Sequence, residues 1–170
     1  MTRLITHRLI LRGPKSTDLE DLFAIFSNPD AMAYWSTAPH EHRDVTQERL
    51  DKMVADFADK PTYFIFERAG RAVGMGGMFS EGDLGYILHP DYWRQGLATE
   101  AIRAVIDHVW TTTDYPQLQA GLDPRNAGSK ALLTRLGFVQ TGFKANTHCI
   151  NDIWSDSIYM TLPRPESLPN

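Results

Sequence analysis

The chain has 170 residues, of which 42% are hydrophobic and 22% charged, with a formal net charge of −4. That length fits one domain with a substantial core, and the composition is that of an ordinary globular protein. The mild acidic balance gives no basic face for nucleic acid, and no stretch approaches the roughly 20 apolar residues of a membrane span.

Cys149 is the sole cysteine, which rules out an intramolecular disulfide and a cysteine metal cluster. His40-Glu41-His42 lacks the i, i+4 histidine spacing of zinc proteases, so no metal is expected. Met1 to Arg12 carries arginines at 3, 8 and 12 and no apolar run of signal-peptide length. A reducing cytoplasm is the expected compartment, and a monomer or homodimer the expected state.

Arg8-Leu9-Ile10-Leu11-Arg12 predicts a short strand, stopped by Gly13-Pro14. Thr17 and Glu20 have capping-box spacing, followed by Leu19, Leu22, Phe23 and Phe26 on one helical face, with Asn28-Pro29 as the stop. A second helix is expected from about Asp44 to about Ala58, with Leu50, Met53, Val54 and Phe57 inward. Three strand-like runs follow, Tyr63 to Arg68, Ala72 to Phe79 and Leu84 to Leu88, with turns at Ala69-Gly70 and Glu81-Gly82.

The pattern then changes period. Ala98, Ile102, Val105, Ile106 and Val109 share one helical face, Leu118 to Leu122 is a short strand, and Leu132, Leu133 and Leu136 mark another helix. Gly137 stands at its stop position, Phe138 onward returns to strand, and Ser157 to Leu162 is the last strand. Residues 163–170, with three prolines, read as a frayed tail after a single domain at 1–162. The architecture predicted is α+β: an antiparallel meander, a right-handed β-α-β crossover and a closing hairpin.

Gly85 to Ala101 carries the most information. A strand ends at Pro90, a short loop follows, and a helix starts near Gly96. The first N–H groups of a helix lack internal partners and its dipole makes that end positive, so an anion such as a pyrophosphate is favoured there. Gly96 permits close approach of a ligand, and Ala98 keeps the first turn free of bulk. A loop that merely turns the chain has the same spacing. Gly70 to Gly77 holds four glycines without a Gly-Lys-Ser/Thr, which argues against a P-loop, and no Gly-x-Ser-x-Gly hydrolase elbow is present.

The sequence Gly85-Tyr86-Ile87-Leu88-His89-Pro90-Asp91-Tyr92-Trp93-Arg94-Gln95-Gly96-Leu97-Ala98-Thr99-Glu100-Ala101 resembles the acyl-CoA-binding motif of the GNAT acetyltransferases. It is most similar to the branch that includes the ribosomal-protein N-terminal acetyltransferases. Thr6 to Arg12 resembles that branch's opening strand. Asn126-Ala127-Gly128-Ser129 followed by Leu136-Gly137-Phe138 resembles its second signature, and Val73-Gly74 to Phe79 running into Leu84-Gly85-Tyr86 resembles the sheet that feeds the cofactor site. Trp93 stands where the wider family has Gln or Arg.

The resemblance implies a mixed, mostly antiparallel sheet of about seven strands with about four helices, and two central parallel strands that splay around the pantetheine arm of acetyl-CoA. It implies that Gln95, Gly96, Leu97, Ala98 and Thr99 hold the pyrophosphate through main-chain N–H groups. A backbone N–H near Ile87 or Leu88 would polarise the thioester carbonyl. Asn126 would bind the pantetheine arm or cap a helix, and Ser129 would lie near the sulfur. Leu133 occupies the place of the tyrosine acid of many members, which leaves Ser129 or water to protonate the thiolate.

The acceptor is expected to be a primary amine, a protein N-terminus or a small molecule, framed by Tyr34, Trp35 and Glu41. Asp83, Glu81, Glu41, His40 and His148 are the candidates for the base it needs. Trp154 is read as a core residue or a second lining aromatic. A non-catalytic acyl-CoA-binding module, and an enzyme using a longer donor such as succinyl-CoA, remain open as alternatives.

Overall fold

A computed structural model of the protein describes residues 2–166. Two short strands, β1 (Arg3–Ile5) and β2 (Ile10–Arg12), form a hairpin and are followed by α1 (Leu19–Phe26) and α2 (Arg43–Phe57). The meander β3 (Tyr63–Arg68), β4 (Arg71–Ser80) and β5 (Asp83–Leu88) comes next, then α3 (Leu97–Thr112), β6 (Gln117–Leu122) and α4 (Ala127–Arg135). A long hairpin, β7 (Val139–Ile150) and β8 (Ile153–Pro163), closes the fold. All eight strands join one sheet in the order β1-β2-β3-β4-β5-β6-β8-β7, with β5 and β6 parallel and every other pair antiparallel.

The sheet is buried on both faces in its centre, which is why β3 to β5 read as nearly continuous apolar runs. Alternate residues serve opposite cores. Phe64, Phe66, Leu84 and Leu88 pack with Leu97, Ile102, Val105 and Val109 of α3 and Leu132 and Leu133 of α4. Ile65, Met75 and Ile87 pack with Leu22, Ile25 and Phe26 of α1 and Leu50 of α2. Of the α3 stripe found by periodicity, Ile102, Val105, Ile106 and Val109 are buried as expected, and Ala98 in the first turn is partly buried.

The β5–β6 pair is the one parallel contact in the sheet, and it is short. The two strands touch through the single Cα pair Asp83–Gln119, where Gln119 N–H donates to Gly82 O at 2.8 Å. β5 continues to pair with β4 as far as Leu88, opposite Gly74, while all of β6 pairs with β8. Two strands held by different neighbours and joined only at their starts must diverge. The wedge opens toward Leu88 and Leu122.

Several expectations at the edges change. The sheet has one strand more than expected, because Arg3–Ile5 pairs with Ile10–Arg12 and was read as no element. Thr17 and Glu20 do not cap α1. Asp18 stands at the start of α1 without capping it, and its carboxylate closes the preceding turn, accepting from Lys15 N at 2.8 Å and from both terminal nitrogens of Arg12, at 2.8 and 2.7 Å. Arg12 is also paired with Glu67 of β3, so the buried guanidinium ties the hairpin to the helix start.

Val54 is 43% exposed, because the sheet-facing stripe of α2 runs through Leu50 and Phe57. Trp154 lies in β8 at 59% exposure, neither core nor cavity lining. Pro163 ends β8, and Arg164 is docked by hydrogen bonds to the carbonyls of Trp110, Thr113 and Tyr115, so the chain does not fray at 163 as expected. Residues 167–170 lie outside the described residues.

Candidate active site

At the end of β5 the chain turns through His89, a 3₁₀ turn at Pro90–Tyr92 and the loop Trp93–Gly96 before α3 begins. Arg94 and Gly96 both have positive φ, 57° and 77°, so the loop coils tightly and presents backbone amides in one direction. Glu100 N–H is the first amide of α3 to find a helical acceptor, Gly96 O at 3.0 Å, and no side chain caps the helix. The N–H groups of Leu97, Ala98 and Thr99 therefore project from a positively polarised helix end.

The loop is fixed from outside. Arg8 Nη1 donates to Gln95 O at 2.7 Å, Arg68 Nη1 donates to Gln95 Oε1 at 3.0 Å, and Gln95 Nε2 donates to Asp91 O at 3.0 Å. Glu100 holds Arg8 in turn, accepting from Arg8 Nε, Arg8 N–H and the Thr6 hydroxyl at 2.6–2.7 Å. Burial works to raise the Glu100 pKa, but these three donors and the Arg8 charge bring it below the ordinary value of 4.5.

A depressed carboxyl contributes stability above its unfolded pKa and loses it as pH falls through the folded value. The melting temperature should hold from neutral pH down to about 5 and then decline, and Glu100→Gln should flatten that decline while lowering the neutral value. An unchanged pH profile in Glu100→Gln would contradict this role.

Trp93 has a structural task in this protein. Its indole Nε1–H donates to Leu88 O at 2.9 Å, across the mouth of the wedge. His89 N–H donates to Val73 O of β4 at 2.9 Å. Peptide groups alternate in direction along a strand, so the N–H and C=O of Leu88 and of Tyr86 face the wedge. Those of Ile87 face β4. The exposed N–H expected near Ile87 or Leu88 thus belongs to Leu88, not Ile87.

A cavity of about 690 Å³ fills the wedge. It runs from Arg94, Gly96, Leu97, Ala98 and Thr99, past Tyr86, Ile87 and Leu88, to Asp30, Ala31, Tyr34 and Trp35 on the opposite face of the sheet. Arg125, Asn126, Gly128, Ser129, Leu132 and Arg135 form its other wall. Asn126 Oδ1 accepts from Ser129 N at 3.1 Å, so Asn126 caps α4 and sets Ser129 facing the cavity. The Arg125 guanidinium beside Asp123 holds that carboxyl below the usual range, and Arg125 lies 5.9 Å from the Tyr34 ring centroid. Trp35 packs edge-on against Phe26, 5.9 Å between centroids.

The cavity thus brings together Tyr34, Trp35, Ile87, Leu88, Gly96, Leu97, Ala98, Thr99, Asn126 and Ser129. It leaves out Gln95, whose side chain braces the loop.

The candidates for the base are elsewhere. Asp83 starts β5 at the closed end of the wedge and is bonded to Ser80, and Glu81 is in the exposed turn before it. Glu41 is exposed ahead of α2, outside the cavity, and His148 is exposed on β7. His40 stacks on Phe26, 4.9 Å between centroids, and burial beside Arg49 lowers its pKa. Asp30 is the carboxylate the cavity does contain. It follows Asn28, whose side-chain oxygen caps the N–H groups of Asp30 and Ala31 at 2.9 and 3.1 Å. Among the described residues no cluster of three or more potential metal ligands occurs.

The family described as acetyltransferase (GNAT) domain matches residues 8–139. The chain belongs to the GNAT acetyltransferase family. This GNAT chain is 31% identical over 184 aligned positions to the [ribosomal protein uS5]-alanine N-acetyltransferase of Escherichia coli (strain K12), covering 98% of this chain and 93% of that protein. It is 24% identical over 162 positions to the spermidine N(1)-acetyltransferase of the same strain, covering 92% and 86%. Its fold matches the crystal structure of the microcin C7 self-immunity acetyltransferase in complex with acetyl-CoA and AMP, with a TM-score of 0.80, 14% identity and coverage of 92% and 93%. Among the described residues no helix is long and apolar enough to cross a membrane.

Proposed function

We propose that this GNAT enzyme transfers the acetyl group of acetyl-CoA directly to a primary α-amine, of a protein N-terminus or a small α-amino compound. The observation that carries the reading is one continuous cavity from the α3 N-terminus, through the β5–β6 wedge, to Tyr34 and Trp35. The pyrophosphate sits on the N–H groups of Gly96 to Thr99, with Arg94 and Arg135 on the cavity wall to balance its charge. The pantetheine arm lies in the wedge against Asn126, where strand pairing is missing. Leu88 N–H donates to the thioester carbonyl and to the oxyanion that develops on it.

The amine enters from the face of α1 and α2, opposite the cofactor phosphates. One carboxylate, Asp30, lines the cavity against three guanidinium groups, Arg94, Arg125 and Arg135. A polycation such as spermidine finds little charge complement there, which favours a singly charged acceptor. An α-amine with pKa about 8 is partly neutral at pH 7, whereas a lysine amine near 10.4 must be deprotonated far more strongly. Asp30 and ordered water then suffice as proton acceptors. We expect a peptide with a free N-terminus to be acetylated faster than an N-terminally blocked lysine peptide or spermidine. The reverse order would overturn the acceptor class.

Direct attack is favoured because Cys149, the sole thiol, is exposed on β7 and does not line the cavity. Cys149→Ala should keep most of its rate, with kinetics that require both substrates bound together. A trapped acetyl-Cys149 or ping-pong kinetics would refute direct transfer.

A further inference from the structure

Arg49 of α2 stands one layer behind the acceptor end of the cavity. Its Cζ lies 4.7 Å from the Phe26 ring centroid and 5.4 Å from that of Trp35. The guanidinium is thus held on two aromatic faces, a task that suits a planar cation. Trp35 lines the cavity and Arg49 does not, so any effect of Arg49 on a bound molecule passes through the indole.

That charge has no counter-ion. Among the described residues Arg49 enters no ion pair, and its buried Nε has no hydrogen-bond partner. Its polar neighbours are neutral. Burial pushes the Tyr63 phenol up, against the pull of the Arg49 charge and hydrogen bond. Burial and the same charge lower the pKa of His40, which is stacked on Phe26 and bonded to Thr46 Oγ1 at 2.7 Å. Asp44, Glu48, Asp51 and Asp56 of the same helix are exposed. Arg125, across the acceptor end, is paired with Asp123, and Asp30 is the carboxylate on the cavity wall.

A free positive charge behind the aromatic wall and a carboxylate on the cavity match an acceptor that carries both signs. We infer that Arg49 is a positioning residue that, through Trp35, selects an α-amine flanked by an acidic group, such as a peptide with Asp or Glu second. The inference rests on the α-amine reading above. Asp30 meets the amine, and the acidic group settles on the Trp35 side, within about 10 Å of the guanidinium. Opposite charges at that distance near a protein surface favour the acidic acceptor by about three- to tenfold, and salt weakens the preference.

The test uses two peptides of equal length with free N-termini, differing only in glutamate or lysine at the second position. The parent should acetylate the glutamate peptide with the higher kcat/KM, and about 0.5 M salt should shrink that ratio. Arg49→Met, apolar and unbranched, should lower the ratio about three- to tenfold while acetyl-CoA affinity in calorimetry is unchanged. Arg49→Lys should keep the ratio, because the charge remains, and raise KM for both peptides alike, because the flat stack on Trp35 is lost. A change in packing alone moves both rates together and leaves the ratio where it was. An unchanged ratio in Arg49→Met overturns the role, and so does a parent that prefers the lysine peptide or ignores salt. If Arg49→Met does not fold, the parent's salt response and Arg49→Lys decide. A parent that acetylates neither peptide yet acetylates spermidine overturns the α-amine reading itself, so the two failures are distinguishable.

Discussion

Gly96→Glu is expected to weaken coenzyme A binding by about a hundredfold or more while the protein stays folded. The backbone at Gly96 has φ of 77°, a region that costs an L-residue about 1–2 kcal/mol. Any replacement pays that strain, and glutamate adds a carboxylate where the pyrophosphate is proposed to sit. Two negative charges about 4 Å apart near a protein surface repel by up to about 4 kcal/mol, which is ample for a hundredfold loss. Gly96→Ala carries the strain without the charge and serves as the control, with a much smaller loss of affinity. A built Cβ there meets only Arg8 Nη2, at 3.4 Å, so steric exclusion is minor. Equal affinity of the glutamate and alanine variants would show that the anion does not bind at this helix end.

The largest effect on stability is expected at Gly77. Its φ is 147°, and a Cβ there would lie 1.9 Å from Thr62 O and 2.7 Å from Tyr63 Cα, both backbone atoms of the β3 entry. Neither neighbour can swing aside, because Met78 N–H is bonded to the same Thr62 carbonyl at 2.9 Å. Backbone strain and overpacking together predict a loss of roughly 2–5 kcal/mol for Gly77→Ala, or a melting temperature lower by roughly 5–20 °C for a chain of this size. Gly70→Ala is the comparison. It shares the positive φ, 79°, but has nothing within 4 Å of the built Cβ, so thermal melting should show only the strain, about 1–2 kcal/mol. Equal losses at the two positions would mean that the close approach at Gly77 is relieved cheaply.

Local pattern carried most of the fold. Tyr63–Arg68 is bounded by turn residues and pairs as expected, and the α3 face from Ala98 to Val109 follows directly from period 3.6. Arg3–Ile5 escaped because three residues are too few for a period, and only pairing with Ile10–Arg12 makes them a strand. The α1 start was misread for a related reason: Thr17 and Glu20 have the right spacing, but Asp18 has the buried arginine.

The loop proposed to hold the phosphates was legible because such chemistry is backbone chemistry at a glycine, local in sequence. The acceptor side was not. Asp83 and Asp30 look equally ordinary as residues, and only the divergence of β5 from β6 puts one at the closed end of the wedge and the other on the cavity. The Gly-Tyr strand was visible, but which of its peptide groups meet the wedge depends on the direction the strand faces. That direction is settled by the bond from His89 N–H to Val73 O, 16 residues away in sequence.

The most direct measurement is release of free thiol from acetyl-CoA, followed with and without a peptide bearing a free N-terminus. The account predicts release that depends on the peptide, that stops when its N-terminus is blocked, and that is slower with succinyl-CoA as donor. Thiol release that ignores the amine, or tight binding of acetyl-CoA with no release against any amine, would contradict it.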